Sequence, residues 1–351
     1  MEKSTFRFSR IQFRLILWGL GFLLFFTLIA AVAIGPVSIP LIAVWQIVRE
    51  SFFGSPSENI NSAYVNIVWY LRLPRAFQAI ATGSGLAVTG AMMQAVLNNP
   101  MADPYILGIS SGASVGAVLV ILFNLFNSLQ TYALSTAAFI GGISAFFLVL
   151  LLNKNRYEIL RLILSGVAVS SALSSLTSLL IFQARHGEGI QSVLFWLMGS
   201  LARAEWSTLP LTILVVSFGI TFMIMSARIL NALSLGEETA ITLGVKAISC
   251  RYSIMIVGTL IVGVLVAQCG TIGFVGLIVP HLVRLFFGNN HRKLIPVCAL
   301  VGSIFLTWVD IACRLVVKPA ELPLGILTSL CGAPLFIFLL DRKSTIGIRK
   351  K

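Results

Sequence analysis

Runs of about twenty apolar residues recur along this chain, and they constrain its fold more than any other feature. A helix needs ~20 apolar residues to cross the ~30 Å hydrocarbon core of a bilayer. Hydrophobic residues make up 58% of the 351 residues and charged residues only 11%, which leaves too little polar surface to cover a water-soluble globule. Continuous apolar runs also exclude a porin-like barrel, whose strands alternate apolar and polar positions. We therefore expect an all-α, polytopic membrane protein.

Ten segments of the chain reach or approach the length of a membrane span. Gly, Ala and Ser recur inside them, and such small residues allow helix backbones to pack closely in lipid. The pattern predicts one compact bundle of about ten transmembrane helices. The eighth segment is short, and we expect Gly273, Gly276 and Pro280 to break it. The ten segments are residues 15–34, 70–97, 104–124, 132–152, 160–183, 207–227, 252–270, 272–287, 294–313 and 322–341.

Basic residues give the expected orientation of these segments. With the N-terminus in the cytoplasm, most of the 25 Lys and Arg residues lie on the inner side, in agreement with the positive-inside rule. An even number of spans places the C-terminus there as well. We expect a cytoplasmic arm at residues 1–14, a transmembrane domain at 15–341 with a long inner loop at 228–251, and a basic cytoplasmic tail at 342–351. Membrane topology, rather than nucleic-acid binding, then explains the net charge of +13.

Motifs for catalysis, nucleotide binding and metal binding are missing from the sequence. It has no G-x-x-x-x-G-K-[ST] segment and no H-E-x-x-H motif, and its five cysteines form no C-x-x-C pair. We expect no catalytic residue, no metal site and no cofactor in this chain. Asp310 is the one candidate for a proton relay inside a span, but Arg314 follows four residues later and predicts an ion pair on one helix face. Energy should therefore come from a partner chain, and a secondary transporter working alone is the alternative.

Arginines gather on the predicted outer side, against the general charge bias. Arg72 and Arg75 flank a proline where the second span begins, and Arg314 ends the ninth span. These side chains either snorkel to lipid headgroups or form a cationic surface for acidic side chains of an external partner. Arginine suits the second role because its guanidinium makes bidentate bonds to a carboxylate.

A short amphipathic helix is predicted in the long inner loop, between two glycines. Its two glutamates lie in the first turn, where acidic side chains interact favourably with the helix dipole, and Leu235, Ala240 and Leu243 are expected to form its apolar face. A helix lying on lipid is the alternative, but such helices are usually basic. The acidic character favours docking into a groove of a soluble cytoplasmic protein. The residues expected at this contact are Leu235, Gly236, Glu237, Glu238, Ala240, Leu243 and Gly244.

Two further segments are candidates for a gate or a pathway. Asn99, Pro100 and Met101 belong to a tight inner turn between the second and third spans, which is either a plain turn or a lip of an inner gate. The broken eighth span places non-helical backbone at membrane depth, which is tolerated where protein or a watery cavity satisfies it. We expect the three residues that break this span to line a pathway or to form a hinge.

Short motifs are spread in order from about residue 60 to residue 342. They are Arg72-Leu-Pro-Arg75, Gly90-Ala-Met-Met-Gln94, Asn99-Pro100, Leu107-Gly108, Gly236-Glu237 with Leu243-Gly244, Gly273-Phe-Val-Gly276, Pro280-His281, and Glu321-Leu-Pro-Leu-Gly325 with Gly332-Ala-Pro334. In this combination they resemble the FecCD family of ABC importer permeases, whose members include the cobalamin permease BtuC.

The resemblance implies a BtuC-like bundle of ten transmembrane helices in the bacterial cytoplasmic membrane. The permease would act as a homodimer, or as a heterodimer with a paralogous permease. It would work with two ATP-binding subunits, which hold ATP and magnesium, and with an extracytoplasmic substrate-binding protein. The site residues that it implies are Arg72, Arg75 and Arg314 for docking of the binding protein, residues 234–245 for coupling to the ATPase, and Asn99, Pro100, Met101, Ile159 and Leu160 for the inner gate.

Sequence and resemblance together predict the transmembrane permease subunit of a binding-protein-dependent ABC importer. It would carry an iron(III)-siderophore inward by alternating access, driven by the separate ATPase, with haem or cobalamin as alternative cargo. The chain itself would catalyse no reaction and would bind no nucleic acid.

Overall fold

The computed structural model describes residues 9–54, 61–126, 129, 132–153, 158–184 and 187–348. The first eight residues of the expected N-terminal arm and the last three of the expected tail lie outside this part of the chain. The helices are α1 (Arg10–Ala33), α2 (Leu41–Phe53), α3 (Ser62–Val65), α4 (Leu73–Val96), α5 (Ile109–Phe123), α6 (Ala133–Leu152), α7 (Ile159–Gln183), α8 (Gly187–Leu197), α9 (Leu209–Met225), α10 (Ala227–Leu233), α11 (Glu237–Thr242), α12 (Ala247–Cys269), α13 (Val275–Phe287), α14 (His291–Val316) and α15 (Leu324–Ile348), with a π-helical segment (Asn66–Arg72) between α3 and α4.

The expected membrane spans are present as helices. Six helical runs are long and apolar enough to cross a membrane: α1, the continuous run from α3 to α4, α6, α7, α12 and α14. A seventh consists of α9 and α10, which meet at an angle of 63°, and the shorter apolar helices are α5, α13 and the first half of α15. These helices correspond to the ten predicted segments, so the prediction of an all-α, multi-pass bundle is confirmed.

Two amphipathic helices were not predicted. The 13-residue α2 and the 11-residue α8 are too short to meet the length criterion for a span. Gln46, Arg49 and Glu50 also give α2 a polar face. The α9–α10 break at Ser226 was missed as well, because no proline or glycine marks it in the sequence.

The centre of the bundle is α4, and almost every one of its residues is buried. A Cβ atom on Gly83 would lie 2.2 Å from the carbonyl oxygen of Gly302, and one on Gly90 would lie 2.0 Å from that of Gly276. Backbones that approach this closely exclude any larger residue. The glycines therefore set the distances from α4 to α14 and α13, in agreement with the predicted close packing.

The break in the eighth span lies before α13 and includes Gly273, which corrects the prediction for Gly276 and Pro280. Helix α13 runs from Val275 to Phe287 without interruption at its internal proline. Instead, the unwound backbone is residues 270–274, where Gly270 and Phe274 both adopt φ of 69°. The Tyr105 hydroxyl stabilises this segment, since it donates to the Ile272 carbonyl oxygen at 3.1 Å and accepts from the Ile272 N–H at 3.3 Å.

Contacts define two ends of the bundle. At the first, named here the Arg10 end, the Phe13 and Phe287 rings meet at the start of α1 and the end of α13, with centroids 6.2 Å apart. At the second, the Arg72 end, Arg72 donates to the Val32 carbonyl oxygen at the end of α1. The arginines lie at the Arg72 end and the Asn99 turn at the Arg10 end, whereas Gly276 packs against the middle of α4.

Candidate functional site

Three arginines separated in sequence come together at the Arg72 end. Arg72 ends the π-helical segment and Arg75 lies in the first turn of α4, while Arg314 lies in the last turn of α14. π-Helical turns are rare and frequently occur at functional sites. Together with Asp310 and Glu321 these residues form what we name the arginine cluster. Arg72, Arg75 and Arg314 line the same cleft.

Every guanidinium of the arginine cluster has partners inside the chain. Arg75 donates from Nε to Asp310 at 2.9 Å and from Nη1 to both carboxylate oxygens of Glu321 at 3.0 and 2.8 Å. Arg314 pairs with Asp310 at 3.1 Å, which confirms the predicted i,i+4 ion pair. Arg72 instead donates to carbonyl oxygens at the end of α1 and in the loop that follows it.

Burial of the cluster corrects the expectation of an open cationic surface. Arg72, Arg75 and Arg314 are only 4%, 8% and 3% exposed. The partly exposed acid is Glu321, whose side chain is 36% exposed. A cleft of about 270 Å³ reaches the three arginines and Glu321. A carboxylate entering this cleft would meet Glu321 already bound to Arg75, so the docking role of the arginines stays a prediction.

The short helix predicted in the long inner loop is present as α11. Gly236 precedes it with φ of 104°, and Gly244 follows it with φ of 79°. These positive φ angles favour glycine because other residues carry a Cβ that clashes. Glu237 and Glu238 lie in the first turn, as expected from the helix dipole.

The faces of α11 differ from the prediction. Ala240 is fully buried against the bundle, whereas Leu235, Ile241 and Leu243 are 65%, 56% and 62% exposed. The outward apolar face therefore includes Ile241 in place of Ala240. Glu237 pairs with Arg251 of α12 at 2.9 Å. This ion pair ties α11 to a long helix, and Glu238 is the exposed acid beside the apolar face.

The turn after α4 is tightly structured. The Asn99 side chain accepts a hydrogen bond from the Met101 N–H at 2.9 Å, and that of Asp103 accepts one from the Tyr105 N–H at 2.8 Å. Burial raises the pKa of Asp103 to about 6, against a smaller lowering by this hydrogen bond. Pro100 and Met101 are exposed at the Arg10 end. Their position fits either a plain turn or a gate lip.

The other expected gate and pathway residues do not share one cavity. Ile159 and Leu160 begin α7, where Ile159 lines a small cavity with Arg251 and Leu160 is 67% exposed. Gly273 lines an open cleft of about 630 Å³ beside α15. In contrast, Gly276 and Pro280 are buried. In this single chain they pack inside the bundle, which corrects the expectation that they line a pathway.

A polar network behind the Asn99 turn was not predicted. The Gln94 side-chain amide donates to the Gly276 carbonyl oxygen at 3.4 Å, and its Oε1 accepts a hydrogen bond from Arg284. The helical donor for the Gly276 carbonyl would be the N–H of residue 280, which proline lacks. Gln94 therefore satisfies an acceptor that Pro280 leaves open. The spacing of Gly276 and Pro280 was a usable signal, but Gln94 lies far away in sequence.

Comparison with known proteins identifies the family of this chain. A model of the FecCD transport family matches residues 23–342. The ABC transporter permease protein YvrB of Bacillus subtilis is 38% identical over 99% of both chains. The hemin transport system permease protein HmuU of Yersinia pestis is 35% identical over 95% of this chain and 98% of its own. Other relatives are named as permease proteins for molybdate, vitamin B12 and iron(III) dicitrate.

A solved structure has the same fold. It is described as a metal-chelate type ABC transporter in an inward-facing conformation, and it is 34% identical to this chain. The match covers 94% of this chain and 99% of the other, with a TM-score of 0.82. The chain therefore belongs to the FecCD transport family and is a multi-pass ABC permease.

Proposed function

We propose that this chain is the permease subunit of a binding-protein-dependent ABC importer for an iron(III)-siderophore. Its termini and α11 lie in the cytoplasm of a bacterial cell, and the arginine cluster faces the other side of the membrane. The observation that carries this proposal is α11 at the Arg10 end, a short acidic helix with exposed apolar residues on it and beside it, which is joined to α12 by the Glu237–Arg251 pair.

Helix α11 has the chemistry of a docking element. Three large apolar side chains are more than half exposed here: Ile241 on α11 itself, and Leu235 and Leu243 on either side of this six-residue helix, which begins with two glutamates. Burying such a side chain stabilises a complex by about 1.5–3 kcal/mol. A separate ATPase that binds this face can move α12 directly, because Arg251 joins the two helices. ATP and magnesium are held by that partner, and this chain catalyses no reaction.

The names of some relatives support an iron(III) chelate as the substrate class. The names of two relatives refer to hemin and iron(III) dicitrate, and the solved structure is of metal-chelate type. Relatives named for molybdate and vitamin B12 share the same permease family. A siderophore is proposed because it is an iron(III) chelate, as are hemin and iron(III) dicitrate, and haem or cobalamin is the alternative.

A binding protein docks at the arginine cluster by exchanging one of its carboxylates for that of Glu321. An acidic side chain of the binding protein enters the cleft and replaces Glu321 on Arg75, because both are carboxylates and Glu321 is the most exposed member of the cluster. Asp310 stays between Arg75 and Arg314, since it is 1% exposed. Two permeases, identical or paralogous, enclose the pathway between them, with two ATP-binding subunits below.

Uptake measurements test the proposed function. The permease is copurified with its ATPase, reconstituted in liposomes and given a loaded binding protein with radio-iron ferrichrome, haem or cobalamin. We expect accumulation of ferrichrome that requires ATP and continues when a protonophore collapses the proton gradient. Uptake that ignores ATP and stops with the gradient would instead identify a secondary transporter. Accumulation by the purified chain alone would also contradict the proposal.

A further inference from the structure

A polar cavity of about 470 Å³ lies at the Arg10 end, behind the Asn99 turn. It is open on one side and is bounded by the end of α4, by α13 and by the start of α14. Its lining includes Arg284, two histidines, three asparagines and Ser234, and no Asp or Glu among the described residues that line it. A cavity lined by cationic and neutral hydrogen-bonding groups favours an anion.

Arg284 lines this cavity and forms no ion pair with a described acidic residue. Its guanidinium donates to the side chain of Gln94 and to the carbonyl oxygen of Ala91, and both acceptors are neutral. The ion pairs in the described part of the chain involve Arg75, Arg251 and Arg314 instead. A partly buried cation is normally paired with an anion, because desolvation without pairing is costly.

The start of α14 adds to the positive potential of the same cavity. This helix has 26 residues, and its first residue, His291, is 1% exposed and lines the cavity. The N-terminus of a long helix carries a partial positive charge, while the first two N–H groups of α14 already donate to the side chains of Asn231 and Asn290. The helix end and Arg284 therefore favour negative charge in the same space.

We propose that this cavity binds an oxyanion, a carboxylate or a phosphate group, on the guanidinium of Arg284. The guanidinium binds two oxygens of such a group, and the amides of Asn98 and Asn99 lie in the same lining. Ser234, which also lines the cavity, directly precedes Leu235 at the α11 face. The oxyanion is thus either an acidic side chain of the protein that docks on α11 or a free phosphate. The anion site itself does not depend on the proposed substrate.

Thermal unfolding of the detergent-solubilised chain tests the site with inorganic phosphate as the probe. At matched ionic strength and pH 7, we expect phosphate to raise the Tm above its value in chloride by about 2–4 °C, as for any ligand that binds only the folded state. Arg284→Gln should lose this response and Arg284→Lys should keep part of it. Arg292→Gln, at an exposed basic residue of the same end, should respond like the native chain.

A second variant keeps the test valid if Arg284→Gln fails to fold. Asn98→Asp places a carboxylate in the cavity wall at an exposed turn position. The Asn98→Asp variant should have a higher Tm in chloride and no response to phosphate, because the new carboxylate then binds the Arg284 guanidinium. Equal Tm values in phosphate and chloride for the native chain, with no stabilisation by Asn98→Asp, would overturn the proposal.

The source of the oxyanion is distinguished in the copurified ATPase complex. If an acidic side chain of the partner fills the cavity, phosphate should stabilise the isolated chain but not the complex. If the site binds free phosphate, both should respond, and Arg284→Gln should abolish both responses. A response of the complex that survives Arg284→Gln would overturn the assignment of the site to Arg284.

Discussion

The side-chain amide of Gln94 lies 3.4 Å from the carbonyl oxygen of Gly276 and satisfies it in place of the N–H that Pro280 lacks. The two residues belong to α4 and α13, which touch at Gly90 and Gly276. A long-range side chain thus completes the hydrogen bonding of a helix that contains a proline. The Gln94 side chain also accepts a hydrogen bond from Arg284, which lines the polar cavity.

This relationship predicts a coupling between Gln94 and Pro280. Gln94→Leu should destabilise the chain by about 1–3 kcal/mol, because it leaves a buried carbonyl oxygen without a donor. Pro280→Ala restores a helical N–H four residues after Gly276, so the double variant should recover about 1 kcal/mol relative to the sum of the single changes. Unfolding in denaturant measures all four chains. Strict additivity would show that the two positions do not share this acceptor.

The Tyr105 hydroxyl is predicted to hold the unwound segment before α13. Tyr105→Phe removes the group that bonds both the N–H and the carbonyl oxygen of Ile272, at a cost of about 1–3 kcal/mol for buried backbone groups left unpaired. Hydrogen exchange at residues 270–274 should accelerate accordingly. Tyr132→Phe, at a residue that is 51% exposed, is the control and should leave exchange there unchanged. Equal exchange in both variants would contradict this role.

Asp103 should give the chain a pH-dependent stability. Its pKa is raised from 3.8 to about 6 by burial, so the folded chain keeps a proton that the unfolded chain loses near pH 4. Stability from this group is therefore present below about pH 4 and is lost as pH rises to about 6. Asp103→Asn keeps the acceptor for the Tyr105 N–H but cannot titrate. The Tm advantage of Asp103→Asn over the native chain should grow between pH 4 and pH 7, and a constant difference would exclude this titration.

Long apolar runs and local patterns predicted much of this fold. The spans, the Asp310–Arg314 pair and the position of α11 all follow from residues that are close in sequence. The partners of Arg75 do not, since Asp310 and Glu321 lie 235 and 246 residues away. For the same reason the burial of the arginine cluster could not be predicted. A hydrophobic pattern identifies an apolar helix, but tertiary packing decides which of its faces is covered.

Short helices were harder to predict for a related reason. The face of α11 has too few residues to show a clear period, and Ala240 proved to be the residue that packs inward while Ile241 is exposed. The prediction for Pro280 was wrong because this proline removes only the N–H that would bond the Gly276 carbonyl oxygen, and the helix continues when another donor bonds that oxygen. In this chain Gln94 supplies that donor from a different helix.

The exposed face of α11 should be required for stimulation of the ATPase. Leu243→Glu replaces a side chain that is 62% exposed, so the Tm of the isolated chain should be unchanged. Losing burial of one leucine at the interface should weaken coupling by about 1.5–3 kcal/mol, or roughly ten-fold or more. The measurement is ATP hydrolysis stimulated by the loaded binding protein. Phe53→Glu, at another exposed apolar residue outside α11, is the control, and equal stimulation in the two variants would contradict the role of α11.

Removing the charge of Glu321 should strengthen docking of the binding protein. Charge reversal at Arg75 is a poor test, because it would place a third carboxylate beside Asp310 and Glu321 and disturb the fold. Glu321→Gln instead weakens the internal competitor for Arg75. We expect roughly five-fold tighter binding, because a partly exposed ion pair worth about 1 kcal/mol no longer competes. Binding of the loaded protein to the solubilised permease at low salt measures this effect. Glu205→Gln, at an exposed acid, should bind like the native chain. Unchanged or weaker binding in Glu321→Gln would exclude carboxylate exchange at Arg75.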